Sequence, residues 1–239
     1  MPPDAATSPD PGAAWLARLA GRFIVFDGPD GSGKSTQLAR FADECRAHAV
    51  PLCPVRDPGG TGVGERIREV LLSRDNEGMS LRCEMLLYMA SRAELVARHI
   101  RPALDARRLV LADRFVSSTF AYQGAAGGLP PAEIRAAAQV ATGGLWPDLT
   151  VIFDVDTQTA AARMTGKKSA SRGDPTLSLF ADRMEAKGES FHARVRQGFL
   201  DQAAADPDHY VVIDAARGAD EVWTDLLARL AERTAAAHE

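Results

Sequence analysis

The chain is short of cysteine: among 239 residues only Cys45, Cys53 and Cys83 occur, far apart and without pairing or metal-ligand spacing. That excludes a disulfide framework and a cysteine-built zinc site, and predicts reduced core thiols in a cytoplasmic protein. No segment reaches the ~18 successive apolar residues of a membrane-spanning helix, so no membrane contact is expected. Internal repeats are lacking, and beyond the first residues so is low-complexity sequence. The opening MPPDAATSPDPGAA is rich in Pro and Ala and lacks the basic-then-apolar order of a secretory signal. Residues 1–20 are therefore expected to form a disordered tail. An excess of positive charge is absent too. The net charge of −4 argues against a broad nucleic-acid surface, and no nucleic-acid polymer is expected as partner.

What is present suits a full core: 46% hydrophobic and 25% charged residues, in a length that one α/β domain can fill. Four apolar runs, Phe23–Phe26, Leu109–Ala112, Leu149–Val155 and Tyr210–Ile213, read as buried parallel strands, with a weaker fifth at Pro51–Val55. Longer segments with helical period separate them. The pattern predicts an α/β fold, a doubly wound and mostly parallel five-stranded sheet with helices on both faces, as one domain over residues 21–236. Ligands of such sheets bind beyond the C-terminal strand ends. Three polar clusters fall there: Asp27 to Lys34, Arg56 with Asp57, and Asp113 with Arg114. In the helical segment 84–96, a wheel gives an apolar face of Leu86, Ala90, Ala93, Ala97 and Ile100. Tyr88 and Arg92 share another face, four residues apart, where both can reach one ligand. The stretch TGKKSASRGDPTLS, residues 165–178, is polar, cationic and aperiodic, and reads as a mobile loop between two helices.

The strongest signal is GPDGSGKS, Gly28 to Ser35, which matches G-x-x-x-x-G-K-[ST] between a strand and a helix. Glycines let successive backbone N–H groups converge on phosphate oxygens, and the following helix adds its positive end. Lys34 supplies a mobile charge for the β- and γ-phosphates, and the Ser35 hydroxyl can ligate Mg²⁺. The expected ATP-phosphate residues are Gly28, Asp30, Gly31, Ser32, Gly33, Lys34, Ser35 and Thr36. A guanine-reading N-K-x-D segment is missing, which argues against a small GTPase.

Beyond the loop, VRDPGGTGVGERIREVLL (55–72), EMLLYMASRAELV (84–96), ADRFVSSTFAYQG (112–124), PDLTVIFDV (147–155) and DRMEAKGESFHARVRQGFL (182–200) occur in that order. Together with the loop they resemble the thymidylate kinases, a branch of the nucleoside monophosphate kinases. The resemblance implies ATP-dependent phosphorylation of dTMP to dTDP, with ATP and Mg²⁺ as cofactors and a homodimeric assembly. It implies that Tyr88 stacks on thymine in place of the family's usual phenylalanine and that Arg92 hydrogen-bonds the base. Arg56 and Arg114 would grip the acceptor phosphate. Ser118, Thr119 and Gln123 would line the base and sugar site, with Thr119 at the pyrimidine edge. Tyr122 would crowd the sugar 2′ position, and Asp30 would approach the 3′-hydroxyl. Ser35, Asp113 and Asp57 would serve the metal, Asp57 standing where the family generally has glutamate. The loop lacks the basic residue that one family subtype places beside its acidic position. A lid at about residues 164–181 would supply that cation through Lys167, Lys168 or Arg172. With Lys34, Arg114 and Asp113, Arg172 completes the expected catalytic set.

Overall fold

Five strands form one sheet: β1 (Phe23–Asp27), β2 (Leu52–Arg56), β3 (Leu109–Asp113), β4 (Leu149–Asp154) and β5 (Tyr210–Asp214). They belong to a computed structural model that describes residues 14–170 and 187–236, the side chains of 166–170 and 236 apart. All neighbouring strands are parallel, in the order β2-β3-β1-β4-β5. The expected sheet is thus present, each strand within two residues of its apolar run. β1, β3 and β4 are buried on both faces, which is why they read as unbroken hydrophobic runs. The edge strand β2 is only partly buried, and its sequence signal was correspondingly weak.

The chain runs outward from β1 to β2, returns to β3, then crosses to β4 on the other side of β1. That reversal leaves a crevice beyond the C-terminal ends of β1 and β3. One core layer packs the sheet against α1 (Ala14–Ala17), α2 (Lys34–Ala47) and the last helix, α10 (Ala219–Ala236). The opposite layer joins it to α4 (Leu81–Leu95), α5 (Arg101–Asp105) and α7 (Pro131–Thr142). α3 (Gly62–Leu72) lies along α4. α6 (Val116–Thr119) widens into π-type turns over Phe120–Ala126 and packs on α9 (Glu189–Ala205); α8 (Thr157–Ala170) follows β4.

Three expectations are corrected. The tail does not extend to residue 20, because Leu16 and Leu19 are each 1% exposed within the core. Leu16→Ala or Leu19→Ala is expected to cost about 2–5 kcal/mol, read as a lower urea midpoint at unchanged slope. Most of the expected apolar face along α4 also points outward, although Ile100 at its far end is fully buried. Leu86 is 57% exposed and Ala90 and Ala97 are exposed, while Met85, Met89, Leu95 and Val96 are buried. A wheel that weights alanine like methionine misses this, since burying the larger side chain removes far more apolar area from water. Last, residues 165–170, expected within a loop, are helical, because α8 continues to Ala170; the rest of that stretch lies outside the described residues.

Candidate active site

The phosphate loop is folded by close packing. Gly28 has φ 137, and a Cβ there would lie 2.6 Å from the Phe153 carbonyl oxygen of β4. Gly31 has φ 80, and its Cβ would meet the Ala160 carbonyl oxygen of α8 at 2.5 Å. Both positions therefore need glycine on conformational and steric grounds. Gly33 then caps α2, whose first residue is Lys34. The free N–H groups of that helix start, together with its dipole, make an anion cradle.

Lys34 is buried and donates to the carboxylate of Asp113, at the end of β3. Burial and the nearby Arg114 push the Lys34 pKa down, with Asp113 pulling against them. Burial works to raise the Asp113 pKa, but Lys34 and Arg114 hold its carboxyl below the usual range. The pair thus holds a cation at the mouth of the cradle.

Arg114 has φ 69, a left-handed conformation that costs a non-glycine residue energy. A dense network holds it there. Its Nη1 donates to Asp27 Oδ1, the Gly28 carbonyl and Ser118 Oγ, each at 3.0 Å, and its Nη2 donates to Asp30 Oδ1 at 2.6 Å. Asp27, fully buried, also accepts from Ser117 Oγ at 2.6 Å and Ser118 Oγ at 2.8 Å. The Tyr122 hydroxyl donates to Asp30 Oδ2 at 2.9 Å, and the Arg114 guanidinium lies 5.4 Å from the Tyr122 ring centroid. Burial acts to raise the Asp30 pKa; Arg114, the Tyr122 hydrogen bond and Lys34 outweigh it and bring it below the ordinary value. Asp30 stays an anion facing two cations.

A second buried pair lies deeper. Arg92 is 1% exposed and donates through Nε to Asp57 Oδ2 at 2.7 Å, while its Nη2 reaches the Phe115 carbonyl at 3.1 Å and Thr119 Oγ1 at 3.3 Å. Burial pushes the Asp57 pKa up against the pull of Arg92. Burial and Glu84 also raise the Tyr88 pKa, which keeps that phenol neutral.

Most of these groups line one cavity of about 670 Å³, within the range of small-molecule sites. It runs along the loop from Asp30 to Gln37. One end holds Asp57, Tyr88, Arg92, Arg114, Ser118, Thr119, Tyr122 and Gln123. The other is closed by Arg163, Met164 and the loop from Ala215 to Ala219 that follows β5. Arg163 shapes that loop by donating to the carbonyls of Ala215 at 2.7 Å and Ala216 at 3.1 Å.

Three expected residues lie apart from the lining: Gly28 (packed against β4), Asp113 and Arg56. Asp113 sits behind Lys34, and Arg56 occupies a shallower depression beside β2, paired with Glu65 at 2.9 and 3.1 Å. Arg56 is the last residue of β2 and turns to Glu65 of α3, while Asp57, just beyond the strand, lines the cavity. Arg172 lies outside the described residues, as do the side chains of Lys167 and Lys168. The structure adds Arg68, which lines the cavity from α3 and donates to the Pro58 carbonyl at 2.9 Å. Its place three residues after Glu65, one helical step along, was a usable signal. So was AARGA after β5, a fourth polar group at a C-terminal strand end.

Oxygen donors suit Mg²⁺, and two of the three expected ligands fit. Ser35 is exposed at the start of α2, and Asp113 stands beside Lys34. Asp57 does not fit: its side chain is 1% exposed and committed to Arg92. No group of three or more His, Cys, Asp or Glu gathers as a metal cluster among the described residues.

A parallel sheet of this order, a phosphate loop after β1 and a cation-lined cavity on both sides of that loop define a P-loop nucleotide kinase fold. Comparison with known proteins narrows the class. The family model described as Thymidylate kinase matches residues 26–226. The chain is 45% identical over 213 residues to a thymidylate kinase of Deinococcus radiodurans, covering 89% of this chain and 98% of the relative. It is 44% identical over 204 residues to that of Symbiobacterium thermophilum, covering 85% and 90%, and 42% identical over 218 residues to that of Pseudomonas fluorescens, covering 90% and 99%. The chain belongs to the thymidylate kinase family.

Proposed function

We propose that this chain transfers the γ-phosphoryl group of ATP to dTMP, giving ADP and dTDP, with one nucleotide at each end of the single cavity. The observation that carries this reading is the continuity of that cavity through the phosphate loop: the triphosphate end and the Tyr88–Arg92 end meet at Lys34 and Arg114. The acceptor is a phosphomonoester, whose second pKa of ~6 makes it mostly dianionic at neutral pH. No general base is needed. The barrier is repulsion between two anions, so catalysis rests on in-line placement and neutralisation of charge. Lys34 turns from Asp113 to the transferring phosphoryl group, and Arg114, already fixed by Asp27 and Asp30, faces the acceptor phosphate. Arg56 reaches that phosphate only by leaving Glu65. The exposed pair costs little to break, about 0–1 kcal/mol, and the dianion gives Arg56 a stronger partner. Ser35 and Asp113 would hold Mg²⁺, which would supply further neutralisation of the triphosphate charge. Tyr122 stands over the sugar, fixed by its bond to Asp30.

An ADP-release assay with ATP and a panel of nucleoside monophosphates tests the reading. dTMP is expected to be the preferred acceptor; ADP release that no monophosphate stimulates would end the proposal. Tyr122→Ala is expected to raise the rate with ribonucleotides relative to deoxyribonucleotides by about tenfold, and an unchanged ratio removes Tyr122 from that role.

The same reading makes the protein a cytoplasmic homodimer. Exposed Leu86 and Ala90 on α4 and Ala97 in the turn that follows it, with Val63 and Val70 on α3, offer an apolar face to a second copy. The expected molar mass by light scattering is twice the chain's 25.6 kDa; a single-chain mass at micromolar concentration rejects the dimer.

A further inference from the structure

At the end of the cavity away from Arg163, Gln123 stands on the wide-turn segment Phe120–Ala126 and faces Glu84 of α4. Each is 2% exposed. The Gln123 amide nitrogen donates to Glu84 Oε1 at 2.7 Å. A carboxylate offers lone pairs and no proton, so the amide atom that meets it at this distance is the nitrogen. That settles which way round the amide stands. The amide oxygen has no hydrogen-bond partner among the described residues, yet it is not among their side-chain atoms sealed from solvent without one. Gln123 lines the cavity and Glu84 does not. The oxygen is therefore what Gln123 shows to a ligand.

We propose that Glu84 is a specificity-determining positioning residue: by holding the Gln123 amide nitrogen it fixes the amide oxygen as an acceptor towards the cavity, so that the site takes a pyrimidine with a ring N–H and rejects cytosine. The inference rests on placing dTMP at this end of the cavity. Thymine and uracil present carbonyl, ring N–H and carbonyl along one edge, whereas cytosine presents an amino group, a bare ring nitrogen and a carbonyl. A glutamine free to turn over serves either edge, giving its oxygen to the N–H or its nitrogen to the bare ring nitrogen. Glu84 removes the second option. Cytosine would then set lone pair against lone pair in a buried site, which no solvent relieves. Arg92, an obligate donor lining the same end, reinforces the choice by suiting a base carbonyl rather than an amino group.

The test measures kcat/KM for dTMP, dUMP and dCMP with ATP in the native protein, Glu84→Gln and Gln123→Leu. A glutamine at 84 both donates and accepts, so it frees Gln123 to turn. In Glu84→Gln the dCMP to dTMP ratio is expected to rise about tenfold or more, while the dUMP to dTMP ratio stays within about twofold, since those bases share the edge. A purely structural Glu84 would depress all three substrates together, and an unchanged dCMP to dTMP ratio overturns the proposal. Gln123→Leu separates the two ways of failing. If it leaves the KM for dTMP unaltered, the nucleotide lies elsewhere and the site reading falls along with the inference. If it raises that KM while Glu84→Gln leaves the ratio unmoved, Glu84 alone loses its role. Should Glu84→Gln not fold, Glu84→Asp withdraws the acceptor by one methylene and the same ratio decides.

Discussion

Lys34→Met is expected to lower kcat about 10²–10³-fold, the usual loss when one charge-stabilising donor leaves a transition state, while the protein stays folded. Two features separate the effects. Lys34 is the cation of the phosphate cradle, and its ammonium group lies between the loop and Asp113. In the proposed mechanism its removal takes away the charge that follows the phosphoryl group, and Arg114, pinned by two carboxylates, is poorly placed to replace it. Stability suffers less because Asp113 keeps Arg114 as a neighbouring positive charge, and its side chain is 23% exposed. A melting point lower by a few degrees corresponds to about 1–2 kcal/mol in a chain of this size. Single-turnover measurement at saturating ATP and dTMP reads the chemical step directly. Near-normal turnover would remove Lys34, and the loop with it, from the mechanism.

The core of the architecture was legible because its signals are local. Buried parallel strands are short unbroken apolar runs, and glycine, lysine and serine at fixed spacing after the first of them place the phosphate cradle. What escaped depended on choices that only packing makes. The alanine stripe of α4 looked like a core face until Met85 and Met89 were seen to fill the same layer better. Arg92 and Asp57 were legible as polar residues near the site, but not as a sealed ion pair, because nothing in a sequence tells an arginine that reaches a ligand from one enclosed to 1% exposure. Arg56 was placed at the acceptor phosphate by resemblance, whereas its side chain pairs with Glu65 beside the cavity, a choice of partner that no local pattern announces. Leu16 and Leu19 were obscured by a Pro- and Ala-rich neighbourhood, and their burial is decided by α10, some two hundred residues later.

The enclosed pair gives the largest expected change in stability. Arg92→Ala is expected to cost about 3–5 kcal/mol, since it leaves the Asp57 carboxylate buried without its cation. Even with Arg92 present, burial holds the Asp57 pKa above its ordinary value, and its Oδ1 has no hydrogen-bond partner. Without Arg92 the shift grows in the same direction. A carboxyl whose folded pKa lies above its unfolded one contributes stability that is fully present below the unfolded value and lost as pH rises through the folded value. The Arg92→Ala protein is therefore expected to regain stability relative to the native chain as pH falls, measured as the difference in urea midpoint across a pH series. A difference that stays flat with pH would mean that packing loss, not the stranded charge, sets the cost. The double variant Arg92→Met with Asp57→Asn removes both charges at similar volume and is expected to recover most of the stability. It is not expected to recover the KM for dTMP, because a thioether cannot donate to a base carbonyl. If stability and KM returned together, Arg92 would be shaping the cavity rather than touching the pyrimidine.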